Sequence, residues 1–241
     1  MTFAPPVPLA ALAALLADDT RARFCLALLD GRAWSAGELA AHAGVAASTA
    51  SEHLSRLIGG GLLAEERQGR HRYVRLAGPD VAQLIEDLAA HAHTGAGMGA
   101  GARPTTLRAA SATRALAAGR TCYDHLAGRL GVTITDALLA RRLLHQDAGF
   151  ALSDAGLSWF ATELGVCLPA GGRRLLARPC LDWTERRHHL AGTAGAVLCA
   201  TALERGWVGR IGSGRALAVT AAGREALARL LGVTGLAETA P

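Results

Sequence analysis

SAGELAAHAGVAASTASEHLSRLIGGGLLAEERQGRHRYVRL, residues 35–76, is the stretch that decides the fold. Ser35 with Glu38 three residues on is a capping box, and Gly44 is the expected stop of a short helix. The next segment, AASTASEHLSRLIGG, sorts its residues by face. Ala47, Ala50, Leu54, Leu57 and Ile58 recur at helical spacing, while Ser48, Ser51, Glu52 and Ser55 line the opposite side. A short, polar, mostly uncharged face can enter a major groove and meet base edges, and an ordinary solvated face has the same composition. LLAEERQGRHRYVRL then alternates as two strands around Gln68-Gly69-Arg70, a hairpin bearing Arg67, Arg70, His71, Arg72 and Arg75. A basic hairpin directly after a helix-turn-helix is placed to hold phosphates beside the groove, and the combination is more specific than either part.

Upstream, residues 7–17 and 20–30 carry two helical patterns. The second has Phe24, Cys25, Leu28 and Leu29 on one face and Asp18 or Asp19 placed to cap its start. Cys25 reads as a core residue. The segment DDTRARFCLALLDG, the turn ELAAHAGVAASTASEHLSRLIGGGLL and the wing ending in RHRYVRL together resemble the ArsR/SmtB family of winged-helix repressors, over residues 8–93. The resemblance implies a homodimer joined through the first helix and through the helix after the wing, PDVAQLIEDLAAHAH. It also implies recognition of double-stranded operator DNA by Ser48, Thr49, Ser51, Glu52 and His53. The family's Cys-x-Cys metal box is missing, since the corresponding region reads RAWSAGEL. His91 and His93 do not make up for it, because neighbours two apart do not share a helix face.

Composition narrows the function classes. A chain of 241 residues, 51% of them hydrophobic, is long enough for two or three small cores and too apolar to be disordered. The uncharged apolar stretch Leu190 to Leu203 is 14 residues, short of the roughly 20 that a bilayer-spanning helix needs, and reads as a buried helix. MTFAPPVPLAALAALLADD has no positive n-region, so a cytoplasmic protein with no membrane partner is expected. Five cysteines without paired short spacing give neither a disulfide framework nor a Cys-x-x-Cys ribbon. All 25 basic residues are arginine, which excludes Schiff-base chemistry and a Gly-Lys-Ser/Thr phosphate loop. A pI near 9.4 suits an anionic partner. Residues 1–94 nevertheless carry 8 Arg against 10 Asp and Glu, so net charge by itself does not establish nucleic-acid binding.

The Gly-rich run TGAGMGAGARPTT, residues 94–106, reads as a linker. Beyond it the chain writes Arg-x-Cys-x-Asp twice, in RTCYDHLAG (120–128) and RPCLDWTERRHHLAG (178–192). HLAGRLGVTITDALLARRLL aligns with HLAGTAGAVLCATALERGWV, and LSDAGLSWFATELGV aligns with VTAAGREALARLLGV, with three extra residues around Gly212-Ser213-Gly214. A tandem duplication over 120–166 and 178–233 is the expectation, within a second domain spanning 107–236. Each copy should read as a long helix, a hairpin or strand, and a shorter helix capped by Ser153 or Thr220. The fold class is therefore mainly α with small β-hairpins (α+β): a winged helix-turn-helix in residues 1–93, followed by two tandem winged-helix-like repeats.

Asp124 and Asp182 fit helix-start boxes with Thr121 and Glu185. Cys122, His125, Cys180, His188 and His189 have no such local explanation, and Cys122 and His125 at i, i+3 would share a helical face. Three readings stay open. Cys122, His125, Cys180 and His189 suit a soft divalent metal in a tetrahedron of two sulfurs and two nitrogens. An organic effector could instead lie between the copies, walled by Trp159, Trp183 and Trp207 and gripped by Arg178, Arg186 or Arg187. The third reading is packing echoed by duplication. A cysteine/histidine-dependent enzyme fused to a DNA-binding domain is the alternative from another class, but no nucleophile turn or oxyanion loop accompanies the residues. A purely architectural DNA binder would need its basic charge concentrated on the first domain. A repressor controlled by a metal ion or a small organic effector accounts for both halves.

Overall fold

The computed structural model describes residues 9–69, 71–94, 107–147, 149–169, 171, 174–212 and 214–236. Arg70, residues 95–106 of the Gly-rich run and Ser213 lie outside the described residues. The chain forms two compact units, 1–86 and 87–241.

The first unit begins with helices α1 (Leu9–Leu16) and α2 (Asp19–Leu28). Asp18 caps α2 by accepting from the Arg21 amide at 3.0 Å. The buried Arg21 guanidinium donates to Leu15 O and Ala14 O, tying the last carbonyls of α1 to α2. A two-residue strand β1 (Trp34–Ser35) follows, then α3 (Ala36–Ala43) and α4 (Ala47–Gly59). The capping box is complete in both directions, and Gly44 ends α3 at φ 70°. Strands β2 (Leu63–Gln68) and β3 (His71–Leu76) form the wing, and α5 (Pro79–Thr94) follows, its residues to Glu86 in this unit and the rest in the second.

The sheet order is β1-β3-β2, with Trp34 opposite Val74 and Leu63 opposite Leu76. Strand β1 has no counterpart in the sequence reading, because two residues carry no periodicity. Buried Asp30 holds its approach, accepting from the Arg32 amide and from Trp34 Nε1. Phe24, Leu28, Leu39, Leu54, Leu57 and Val74 fill the core. Ala47, expected on the apolar face of α4, sits exposed in its first turn.

The second unit also contains α6 (Leu107–Ala118), a helix with no counterpart among the sequence expectations. LRAASATRALAA is too uniformly small to show an apolar face. One order of elements then occurs twice. The first set is β4 (Arg120–Cys122), β5 (His125–Ala127), α7 (Gly128–Ala140), β6 (Leu144–His145), β7 (Ala151–Leu152) and α8 (Asp154–Glu163). The second is β8 (Arg178–Leu181), β9 (His188–Ala191), α9 (Gly192–Glu204), β10 (Val208–Arg210), β11 (Leu217–Val219) and α10 (Ala221–Leu231). Ser153 and Thr220 cap α8 and α10 by accepting from Gly156 N and Gly223 N. The expected long helix does not begin at His125. His-Leu-Ala in each set is a strand, and the helix starts at the following glycine.

The two sets share one core, in which Leu130, Leu138 and Phe160 of the first pack with Leu198, Trp207 and Leu227 of the second. Each set also reaches into the other. Arg205, after α9, donates to Glu163 O and Leu164 O at the end of α8. Gly131 in α7 lies against His189 of β9, and Gly195 in α9 lies against His125 of β5. A Cβ on Gly131 would run into the Leu126 carbonyl oxygen and lie 3.5 Å from His189 Cβ, and on Gly195 it would meet Leu190 O and lie 3.2 Å from His125 Cβ. Glycine is therefore required where each helix crosses the other set's histidine strand. Gly131→Ala and Gly195→Ala should each lower the unfolding free energy by about 1–3 kcal/mol through overpacking, as measured by denaturant titration. A shift within about 0.5 kcal/mol would show that the crossing has room.

Candidate nucleic-acid interface and thiol–imidazole site

Helix α4 turns Ser48, Thr49, Ser51 and Glu52 to solvent, so four of its five candidate base-reading residues are accessible. Glu52 is paired with Arg56 at 2.6 Å. His53 departs from expectation. Its ring is turned back against α2, with Nδ1 3.3 Å from Arg21 Nη1 and 3.6 Å from Asp18 Oδ1, and edge-on to Phe24. That contact comes from another helix, which local face-sorting does not report. On the wing, Arg67 and Arg72 lie 2.9 and 2.8 Å from the Glu65 carboxylate, whose pKa falls below its usual value chiefly through the Arg67 hydrogen bond. Arg75 faces Glu66 at 3.8 Å. Arg67, Arg72 and Arg75 are thus held along one strand pair by the wing's own carboxylates.

In the second unit, Cys122 and His125 are directly opposite each other on the β4–β5 pair, and Cys180 and His189 are opposite on β8–β9. The i, i+3 spacing of Cys122 and His125 marks the two ends of a two-residue turn, Tyr123-Asp124, and no helical face. The longer spacing after Cys180 reaches the same cross-strand pairing around a larger turn. Ala127 and Ala191, both fully buried, pack with the two cysteines and let the hairpins approach.

All four side chains are 1–3% exposed. Their donor atoms lie within 4.8 Å of one another, Cys122 Sγ is 3.8 Å from Cys180 Sγ, and the two imidazole centroids are 5.1 Å apart. Behind each ring stands a carboxylate. Asp124 Oδ1 is 3.2 Å from His125 Nδ1, and Asp182 Oδ2 is 3.3 Å from His189 Nδ1. Arg174 grips Asp124 with two hydrogen bonds, at 2.6 and 3.0 Å. Asp182 accepts from Arg120 Nη2 at 2.9 Å, Gly128 N at 2.7 Å, and Thr184 N, Thr184 Oγ1 and Glu185 N at 2.9, 2.7 and 3.1 Å. Neither aspartate starts a helix, so the capping reading is corrected. Asp182 makes cap-like bonds inside a hairpin turn and joins it to the start of α7.

The electrostatics follow from this packing. Burial is the largest influence on Asp124 and pushes its pKa up, but hydrogen bonds from His125 and Arg174 outweigh it and hold the carboxyl at about 2. Asp182 is likewise held below the carboxylate range, burial being outweighed by His189, Arg120 and Thr184. Burial pulls His189 down, yet the neighbouring Asp182 carboxylate and Cys180 sulfur raise it to about 9. The Cys180 thiol is drawn well below the ordinary range, first by the Cys122 hydrogen bond and then, against burial, by His125 and His189. Burial pushes Cys25 and Cys199 up to about 12, the behaviour of inert core thiols.

The other candidates lie outside this cluster. His188 is exposed and edge-on to Phe150. Arg187 is engaged by Asp136 through two hydrogen bonds at 2.9 and 2.6 Å, and half-buried Arg178 lies on β8 opposite Ala191. Trp183 carries the Arg120 guanidinium 4.7 Å from its ring, Trp207 is buried in the core, and Trp159 packs against it. Trp159 and Trp207 thus belong to the shared apolar core and Trp183 to the Arg120 contact. Arg120 was visible as part of the repeated Arg-x-Cys-x-Asp motif, whereas Arg174 comes from a segment with no motif.

A family profile described as "Helix-turn-helix domain" matches residues 16–66. The chain is 38% identical over 228 residues to the uncharacterized HTH-type transcriptional regulator YdfF of Bacillus subtilis (strain 168), covering 93% of this chain and 97% of that one. It is 44% identical over 80 residues to the HTH-type transcriptional regulator CmtR of Mycobacterium bovis, covering 33% of this chain and 67% of the relative. Among solved structures, it is similar to the homodimeric winged helix-turn-helix domain of Mb0332 from Mycobacterium bovis, at 33% identity and a TM-score of 0.32, over 35% of this chain and 80% of that one. Among the described residues no helix is long and apolar enough to cross a membrane.

Proposed function

The chain belongs to the HTH-type transcriptional regulators, and from that premise we propose an effector-controlled repressor. The first unit holds operator DNA through α4 and the wing. The second unit binds an effector at Cys122, His125, Cys180 and His189, and binding changes operator affinity. The observation that carries this reading is the four-donor cluster, which two matching hairpins build with paired carboxylates behind it. A packing-only role leaves two buried imidazole Nε2 atoms without partners. Cys122 and Cys180 are closed to solvent, which argues against a nucleophile acting on a substrate.

Base reading falls to Ser48, Thr49, Ser51 and Glu52, with His53 as a positioning contact behind them. Arg67, Arg70 and Arg72 take the phosphates. Replacing Arg70 and Arg72 with Ala should weaken binding to all duplex sequences and flatten the dependence on log salt by about 0.9 per lost phosphate contact. Unchanged affinity and slope in fluorescence anisotropy would remove the wing from the interface.

A homodimer is part of the same reading, because one recognition helix reads only a half-site. Helix α1, LAALAALL, has no buried residue in the isolated chain, with Leu9 81% exposed, and Leu88 of α5 is 47% exposed. Light scattering should give the mass of two chains, and a single-chain mass together with tight operator binding would overturn the dimer.

The effector half is tested by measuring operator binding of the full chain across a panel of divalent metal salts and small organic metabolites. Cys122→Ser and Cys180→Ser, made separately, should bind operator as the parent does without effector and lose the response to it. Parent-like responses from both variants would place the sensor elsewhere.

A further inference from the structure

We propose that the effector of this cluster is a soft divalent metal ion of the zinc type, held by Cys122, His125, Cys180 and His189 in a closed tetrahedral site. The inference deepens the effector reading above and rests on it.

The donor geometry is the first ground. With metal–sulfur bonds of about 2.3 Å and metal–nitrogen bonds of about 2.0–2.1 Å, a tetrahedral Cys2His2 site has donor–donor edges of roughly 3.3–3.8 Å, its sulfur–sulfur edge being about 3.8 Å. The Cys122–Cys180 sulfur separation is 3.8 Å, and all four donors lie within 4.8 Å of one another. The sulfur edge is already at the required length, and the histidines need only a small inward movement.

The nitrogens supply a second, independent ground. Nε2 of His125 and both ring nitrogens of His189 are buried without a geometrically well-formed hydrogen bond, Nδ1 of His189 lying at ion-pair distance, 3.3 Å, from Asp182. On each ring the opposite nitrogen faces a carboxylate, Asp124 or Asp182. A carboxylate behind Nδ1 fixes that nitrogen as the protonated one and leaves the Nε2 lone pair free for a metal. The same arrangement at both histidines is hard to account for by packing, which would leave two buried polar atoms unsatisfied.

Charge selects the class of ion. Two thiolates, two neutral imidazoles and a divalent cation sum to zero, and each carboxylate behind them is neutralised by its own guanidinium, Arg174 or Arg120. A buried site tolerates that sum, whereas two bare thiolates would not survive there. Among the described residues the four gathered donors are two sulfurs and two nitrogens, a set that does not suit magnesium or calcium, which take oxygen ligands. All four donors come from protein and are buried, which leaves no open position and marks a binding rather than a catalytic site. The ion would pin β4–β5 to β8–β9, so its arrival changes how the two sets of elements are joined.

The test uses the full chain, purified reduced and stripped with chelator, with Zn2+ as the probe. Native mass spectrometry should show one Zn2+ per chain, and X-ray absorption at the zinc edge should show two sulfur and two nitrogen neighbours. Co2+ should give the intense visible absorption of a tetrahedral thiolate complex. Asp124→Asn, which touches no metal, should reduce Zn2+ affinity by about 10–100-fold. Cys167→Ser, at an exposed thiol outside the cluster, should bind as the parent does. The absorption spectrum needs no variant, so a misfolded substitution cannot mask the result. Lack of Zn2+ uptake, a shell of oxygen and nitrogen alone, or a metal-free chain with Cys122 and Cys180 joined as a disulfide would each overturn the metal. Operator binding measured on the same samples separates this inference from the reading beneath it. A two-sulfur, two-nitrogen zinc shell with operator affinity unchanged keeps the metal site and overturns effector control. An operator response to an organic metabolite without metal uptake does the reverse.

Discussion

Asp182→Ala is expected to remove about 3–5 kcal/mol from the stability of the second unit, the cost of leaving a buried charge without its counter-ion. The Arg120 guanidinium is fully buried, and Asp182 is the only carboxylate in its ion pair among the described contacts. Its remaining bonds, to Leu116 O and Thr184 Oγ1, supply no negative charge. The same substitution also strips acceptors from Gly128 N, Thr184 N and Glu185 N, so one carboxylate serves the start of α7, the β8–β9 turn and the Arg120 charge together. Arg120→Met should cost less, because the carboxylate keeps its backbone donors. Asp182→Asn should fall between the two, since the amide still accepts hydrogen bonds but carries no charge. Denaturant unfolding followed by tryptophan emission is a direct readout, as Trp183 lies under Arg120. A loss below about 1 kcal/mol for Asp182→Ala would mean that water reaches the guanidinium and that Asp182 is not its essential partner.

Local rules carried the first unit because its signals are local. Asp18, Ser35 with Glu38, and Gly44 bond within four residues of their own position, and the observed caps match the positions those residues mark. The second unit was legible in its repetition and in its helix starts at Ser153 and Thr220, but its hairpins were not. Strands of three or four residues are too short for alternation to register. The two turns also lack a glycine or asparagine marker at their left-handed positions, which fall on Tyr123 at φ 58° and Arg186 at φ 55°. Cys-x-x-His fits a helix face and the two ends of a tight hairpin equally well, and only the pairing of Cys122 with His125 across strands decides between them. The second half of the cluster shows the same ambiguity resolved by tertiary structure. Cys180 and His189 are far apart by helical spacing and adjacent by register. His53 erred in the opposite direction, since its place on a polar face concealed a partner, Arg21, thirty-two positions upstream.

Zn2+ at about 1,000 times its dissociation constant should raise the unfolding free energy of the second unit by about 4 kcal/mol, and chelator should reverse the gain. The four ligands lie on two hairpins separated by more than fifty residues, with Cys122 and Cys180 58 positions apart. An unfolded chain therefore has to close a long loop before it can present the same donors, and the ion favours the folded state almost entirely. The helix-turn-helix unit contributes none of these ligands, so its own unfolding transition should stay where it was. This asymmetry separates site binding from general salt effects, which would move both transitions. His125→Gln should abolish the gain while leaving the metal-free transition close to that of the parent, because the amide can still hydrogen-bond to Asp124. An equal shift in both units, or a gain that survives loss of His125, would mean that zinc stabilises the protein from somewhere other than this cluster.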